Sequence, residues 1–271
     1  MDLKVDLEAE RANMTTVSEA TNAKIKVMTY FDRDVLEFDF ERTAAGYRLR
    51  HRLVKGLVAK EGTRGAFAFD VGCGTGEYTV SLAEAGFDTV GGDFSKGMLT
   101  IAQSKVRNQG LEERIHLVRL ESTRLPFRNE SFGTISCIAV LDWLPDTYRF
   151  LLEVNRVLKH GAVLIICVDA AWSPYRFIKN IRFAFRRQRR DAQVLNAVGL
   201  ERALTLHGFI VEKFLGDVLF GQAISHWLYD PERKFLANKA LTITEPVDSH
   251  LRSLPILRFL SEHYIIEARK K

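Results

Sequence analysis

The segment Asp70-Val71-Gly72-Cys73-Gly74-Thr75-Gly76 places a carboxylate and three glycines where a strand gives way to a helix. Glycine lets the chain turn sharply and lets a ligand approach the backbone, and the N-terminus of the following helix offers unpaired N–H donors. The spacing separates the candidate ligands. A dinucleotide fingerprint, G-x-G-x-x-G, begun at Gly72 needs its third glycine at position 77, where this chain has Glu77. An acid pointing into the loop repels a pyrophosphate, which disfavours a nicotinamide-dependent oxidoreductase. The observed G-x-G-x-G behind Asp70 suits a ligand bearing a cationic amino acid.

The second constellation is Val90-Gly91-Gly92-Asp93-Phe94. A carboxylate at a strand end can accept both hydroxyls of a ribose lying across the sheet edge. Helix capping is the plainer role for Asp93, and the glycine loop at the expected distance favours the ribose. Phe94 and Met98 can supply apolar faces to an adenine. For proton transfer the best-placed group is Asp142, in Val140-Leu141-Asp142-Trp143; capping of the following turn is an equally good account of it. His226, beside Trp227, ranks below it, because a lone histidine is usually structural or merely exposed. No spacing of ligands points to a metal. Cys73, Cys137 and Cys167 show no paired spacing, so neither a disulfide framework nor a zinc site is expected; Cys137 and Cys167 read as small core residues of strands.

These residues need elements to hold them. Up to about Ala59 the chain lacks strand signals and reads as helices. From Ala66 strands and helices alternate: strand Phe67 to Val71, helix Tyr78 to Ala85, strand Thr89 to Gly92, helix Lys96 to Asn108, strands Ile115 to Leu120 and Thr134 to Val140. A helix from Asp146 to Leu158 should stop at Lys159-His160-Gly161, ahead of the apolar strand Ala162 to Val168. Gly208 to Leu215 and Tyr264 to Ala268 read as two further strands. The pattern predicts an α/β fold with a doubly wound, mostly parallel, seven-stranded sheet covered by helices on both faces. One domain spans 1–271: a helical N-terminal cap (1–60), a nucleotide-binding core (66–170), and two candidate lid or substrate segments (171–206 and 216–262).

The order and spacing resemble the class I S-adenosylmethionine (SAM)-dependent methyltransferases, in the group that includes ubiquinone and menaquinone C-methyltransferases and many small-molecule methyltransferases. Four segments carry the resemblance: Phe69 to Gly76, Gly92-Asp93-Phe94-Ser95, Leu125-Pro126-Phe127, and Glu153 to Gly161. It covers Ala66 to Val168 well. The resemblance implies SAM as cofactor, with Asp70, Gly72, Cys73, Gly74 and Gly76 facing its methionine part and Asp93 its ribose. Glu121 with Ser122 stands where the family often has an Asp-Ala pair meeting the adenine amino group. Val140 and Leu141 fall beside the sulfonium, and Tyr30 resembles an N-terminal aromatic that closes over the cofactor in some relatives. The chain departs from the family in Glu121 and in His160-Gly161-Ala162, which replaces a Pro-Gly-Gly turn.

Composition sets the outer bounds. At 271 residues with 46% hydrophobic and 27% charged residues, the chain is an ordinary globular protein. The longest strongly apolar run, Ala162 to Val168, is far too short for a membrane span, and no signal-peptide core is visible at the N-terminus; a cytoplasmic protein is expected. Seven of the 39 basic residues lie between Trp172 and Arg190, leaving 32 against 34 acidic ones. The positive charge therefore belongs to one segment. Within 173–190, Phe177, Ile178, Ile181 and Phe185 recur at helical spacing, with Arg176, Lys179, Arg182 and Arg186 off that stripe. A lid helix with a solvated basic side is the plainest reading; peripheral contact with an anionic membrane and recognition of an anionic acceptor or RNA are the alternatives. The function expected is methyl transfer to oxygen or carbon of a small acceptor of aromatic or lipid-like character. The rivals are an RNA methyltransferase, weakened because charge is confined to one segment, an NAD(P)-dependent oxidoreductase, and a SAM-binding protein without catalysis.

Overall fold

Among the described residues, the runs rich in β-branched and aromatic side chains from Phe67 onward become strands, and segments between them that bury every third or fourth residue become helices. The computed structural model describes residues 45–60, 66–144, 146–170, 196–217, 261 and 263–271. In chain order the elements are α1 (Ala45–Lys60), β1 (Phe67–Val71), α2 (Glu77–Glu84), β2 (Asp88–Asp93), α3 (Lys96–Asn108), β3 (Ile115–Arg119) and β4 (Phe132–Ile138). A single 3₁₀ turn (Leu141–Trp143) follows, then α4 (Thr147–Val157), β5 (Leu158–Asp169), α5 (Ala197–Leu206), β6 (Phe209–Gly216) and β7 (His263–Lys270).

The seven strands form one sheet in the order β3-β2-β1-β4-β5-β7-β6. Pairing is parallel from β3 to β5, whereas β7 runs antiparallel to both β5 and β6. One edge therefore collects the carboxyl ends of β1 to β6 and the amino end of β7. Open α/β sheets place their ligands at that edge.

The period of two in β5 shows why its sequence is a continuous apolar run. Val163, Ile165 and Cys167 pack with Val54, Leu57 and Val58 of α1 and with Tyr78 and Leu82 of α2. Leu164, Ile166 and Val168 pack on the other face with Phe150, Leu151 and Val154 of α4 and Leu200 and Leu204 of α5. A strand covered on both faces has no polar side. In α4 the buried positions Phe150, Leu151, Val154 and Val157 form one stripe, while Tyr148 and Leu152 are exposed; Asp146 caps it by accepting from the Arg149 N–H.

Two boundaries differ from the sequence reading. The helix ends at Val157, and Lys159-His160-Gly161 belong to β5 and not to a helix stop. Phe132 pairs with Leu158, and pairing resumes at Thr134 with Val163. The fully buried Leu158 anchors the strand early, and the exposed residues after it bulge outward through Gly161 at φ 70°. The described end of segment 171–206 is α5, whose Ala197, Leu200, Ala203 and Leu204 are part of the main core. Most of the two candidate lid segments, and the basic stretch 173–190, lie outside the described residues. Among the described residues no helix is long and apolar enough to cross a membrane.

Candidate functional site

The glycine loop is shaped by three left-handed residues: Gly72 (φ 66°), Gly74 (φ 53°) and Gly76 (φ 84°). A Cβ on Gly72 would stand 2.3 Å from Val140 Cγ2, so the loop and the end of β4 touch because that side chain is absent. Gly72 and Cys73 donate their N–H groups to the Gly92 carbonyl at 2.7 and 3.0 Å, tying the loop to the end of β2. Glu77 opens α2 and takes the Lys105 ammonium at 2.9 Å, with His51 Nε2 at 3.9 Å. Its charge is met by the Lys105 ammonium, so the repulsion expected from an acid inside the loop is not what shapes this site. The glycine spacing alone still departs from the dinucleotide fingerprint.

Both carboxylates read from the sequence are at the edge and buried. Asp70 Oδ2 accepts from Thr79 Oγ1 at 2.6 Å, and its Oδ1 accepts from Ser136 Oγ at 2.7 Å, joining β1 to α2 and β4. Asp93 Oδ2 accepts from the Gly74 N–H and Oδ1 from the Ser95 N–H, each at 2.8 Å. Asp93 is thus the clasp between the loop and β2. Ser95, not Asp93, caps α3, accepting from the Met98 N–H. Met98 is buried, Phe94 partly so; the Phe94 carbonyl accepts from Arg119 Nε at 2.9 Å. Glu121, exposed past β3, accepts from Thr123 Oγ1 at 2.6 Å, with Ser122 beside it.

After β4 the backbone is strained: Ala139 has φ 58°, a conformation a residue with a Cβ adopts at a cost. It aims Val140 at Gly72 and carries Leu141 and Asp142 into the buried 3₁₀ turn. Asp142 accepts from the Asp169 N–H at 3.2 Å. The cap of the next helix is Asp146. The structure gathers Asp70, the loop, Asp93, Phe94, Met98, Val140, Leu141 and Asp142 along one edge. Tyr30 and His226 lie outside the described residues.

Three further groups at this edge escaped the sequence reading. His263 opens β7 and its Nδ1 lies 2.6 Å from Asp217 Oδ2, past the end of β6; its Nε2 lies 3.4 Å from Asp169 Oδ1, at the end of β5. His263 and Asp217 are buried. The signal was their place: each is the residue bounding a strand on the ligand edge, visible only if the last strand is taken as reversed. Nearby, the Arg50 guanidinium of α1 stacks over Tyr47 at 4.9 Å. Burial works against its charge, but Tyr78, Cys167, Tyr47 and Asp217 around it hold it protonated. Burial pushes the Tyr78 hydroxyl and the Cys137 and Cys167 thiols up. Among the described residues no group of three or more His, Cys, Asp or Glu could hold a metal ion.

Residues 69–166 match the family described as "Methyltransferase domain". A demethylmenaquinone methyltransferase of Lactiplantibacillus plantarum is 37% identical over 119 residues, 43% of this chain and 50% of that protein; the chain spans about half the length of the curated relatives it matches. The geranyl diphosphate C-methyltransferase of Streptomyces coelicolor A3(2), solved with Mg2+, geranyl diphosphate and S-adenosyl-L-homocysteine, shares the fold with TM-score 0.58 at 13% identity, covering 81% of this chain and 79% of that one. The cyclase SpnF shares it with TM-score 0.56 at 21% identity, covering 81% and 80%. The likeness to class I SAM-dependent methyltransferases thus holds in sequence and in fold.

Proposed function

We propose that this chain is a SAM-dependent methyltransferase acting on oxygen or carbon of a small acceptor of aromatic or lipid-like character. The observation that carries it is the clasp: Gly74 N–H on Asp93 Oδ2, with Gly72 closed against Val140. This shapes a cradle whose carboxylates suit an ammonium and a ribose diol, and whose inner wall at Val140 and Leu141 is apolar. When bound, SAM supplies an activated methyl group, and the protein's task is to position the acceptor and exclude water. Asp70 would sit near the methionine amino group, Asp93 at the ribose, Glu121 and Ser122 towards the adenine rim, and Phe94 and Met98 on its faces. Val140 and Leu141 would wall the reacting centre. The relative's name, demethylmenaquinone methyltransferase, favours a quinol-like acceptor over RNA. A SAM-binding protein without methyl transfer is the second reading, favoured by the occurrence of this fold in a cyclase. Peripheral membrane contact through 173–190 completes the proposal; absence of flotation with anionic vesicles at moderate salt counts against that part alone.

Calorimetric titration with SAM, S-adenosylhomocysteine and NADH tests the cofactor, on wild type and Asp93→Ala. Micromolar binding of both adenosyl compounds, none of NADH, and at least tenfold weaker binding in the variant are expected, roughly 1.4 kcal/mol or more. Binding of NADH alone would overturn the reading. Tritiated-methyl transfer to a panel of reduced quinones separates the enzyme from a silent binder.

A further inference from the structure

We propose that Arg50, assisted by the Tyr78 hydroxyl, binds the carboxylate of the methionine part of SAM and so fixes the amino-acid end of the cofactor in the cradle. The inference deepens the SAM reading above and rests on it. That end of the ligand is a zwitterion. The buried carboxylates Asp70, Asp93, Asp142 and Asp217 favour its ammonium and the sulfonium but repel its carboxylate, which needs a cation of its own. Two helices bring one to the glycine loop. Their contacts advance in step: the rings of Tyr47 and Tyr78 lie 6.0 Å apart, His51 Nε2 lies 2.7 Å from Ser81 Oγ, and Lys55 donates to Glu84 at 2.6 Å. The helix α1 therefore runs parallel to α2, and its first turns stand beside the start of α2, directly after Gly76.

Arg50 lies one turn after Tyr47, and its guanidinium stacks over that ring at 4.9 Å. Its Nε is buried without a hydrogen-bond partner, and among the described residues no hydrogen bond or ion pair engages the guanidinium. The residue keeps part of its surface exposed, so the group is not sealed off. Tyr78 is 5% exposed, and its hydroxyl is likewise buried without a hydrogen-bond partner. Donors left unsatisfied in this way are costly until a ligand takes them up. Asp217, whose charge acts on Arg50, is engaged elsewhere: it accepts from the His263 N–H at 2.9 Å and lies 2.6 Å from the ring Nδ1. The cradle is within electrostatic reach of the same place. Cys167 of β5 senses Arg50 together with Asp142, and Cys137 of β4 senses Asp142 together with Asp70. A guanidinium held flat against a ring presents its donor fork to a carboxylate, which it can grip through two parallel bonds. Arg50 takes no part in bond making. It anchors the end of the ligand remote from the methyl group, so that the sulfonium is held beside Val140 and Leu141.

The test is calorimetric titration of the full chain with S-adenosylhomocysteine and with its decarboxylated analogue, which lacks the carboxylate alone, on wild type, Arg50→Met and Arg50→Lys. Wild type should bind the acid at least roughly tenfold more tightly than the analogue, and Arg50→Met should bind the two alike to within about threefold. Arg50→Lys, which keeps the charge without the fork, should retain part of the difference. Methionine keeps the length of the side chain and removes a buried cation that has no partner, so unliganded Arg50→Met should resist urea at least as well as wild type. A variant that loses stability and weakens both ligands equally makes Arg50 a structural residue and overturns the proposal. An undiminished difference in Arg50→Met also overturns it, leaving the guanidinium to a carboxylate on the acceptor. If Arg50→Met does not fold, Arg50→Lys and Tyr78→Phe decide: both should narrow the difference, and a full difference in both refutes the assignment. Failure of the cofactor reading shows separately, as wild-type protein that gives no heat with S-adenosylhomocysteine.

Discussion

Gly72, at φ 66°, has room for no side chain, because Val140 Cγ2 would lie 2.3 Å from its Cβ. Gly72→Ala meets left-handed strain of about 1–3 kcal/mol and a clash of similar size. The expected result is a loss of about 3 kcal/mol in urea unfolding and at least tenfold weaker SAM binding. Gly72→Ala with Val140→Ala should cost less than the two changes summed, because the pair touches and removing the methyls relieves the clash; plain additivity would show that Val140 does not close on the loop. The buried thiols make a simpler case: Cys137 and Cys167, fully buried and pushed up by burial, should not react with a thiol reagent until the protein unfolds. At this scale Asp70, the loop and Asp93 were legible because their spacing is local. The partner of Glu77 is Lys105, on another helix, so its direction was not. His263 and Asp217 meet across 46 positions of sequence, and no local pattern announces such a pair.

At the scale of elements, α4 does more than cover a face. Arg156 donates to the carbonyls of Leu125 and Phe127 at 2.9 and 2.7 Å and to both oxygens of Glu153 at 2.8 Å, while Glu153 accepts from the Leu125 N–H at 2.8 Å. One ion pair on the helix therefore fixes the Leu125-Pro126-Phe127 loop that leads into β4. Replacing the fork by Arg156→Ala strands several backbone groups and should cost about 2 kcal/mol, discounted somewhat because the pair is partly exposed; Arg156→Lys should recover only part, having charge without the fork. Hydrogen bonds from Arg156 hold the Glu153 carboxyl below its usual range, against the opposing effect of burial. Its contribution is therefore complete at neutral pH and fades as pH falls through that lowered value. Glu153→Gln should flatten the acid limb of stability against pH; an unchanged limb would assign acid unfolding to other carboxylates. The sequence motif Glu153 to Gly161 was visible, but its work, gripping a loop 28 positions earlier, was not. The early start of β5 at Leu158 escaped for a related reason: the pairing with Phe132 overrides the glycine that looked like a helix stop.

At the scale of the molecule, the strand order divides one edge into two halves. The ends of β3, β2 and β1 carry Glu121, Asp93 and the glycine loop; the ends of β5, β7 and β6 carry Asp169, His263 and Asp217; and β4 lies between them with Val140 and Asp142. Alternation of strands and helices made the α/β class and both-face covering legible, since those follow from periodicity. The reversal of β7 follows from the pairing of residues 163–169 with 263–269, a long-range choice that local patterns do not encode, and it alone brings His263 to the ligand edge. If the halves are independent, Asp93→Ala should weaken S-adenosylhomocysteine binding with little change in the magnetic resonance signal of an isotope-labelled His263 ring. Asp217→Asn should shift that signal with binding held within about threefold, well under 1.4 kcal/mol. In the double variant the change in S-adenosylhomocysteine binding should equal the sum of the two single changes to within about 0.5 kcal/mol, as expected for independent sites. Coupling beyond that would mean that the residues after β4, touching the loop through Val140 and β5 through Asp142, transmit one half's occupancy to the other.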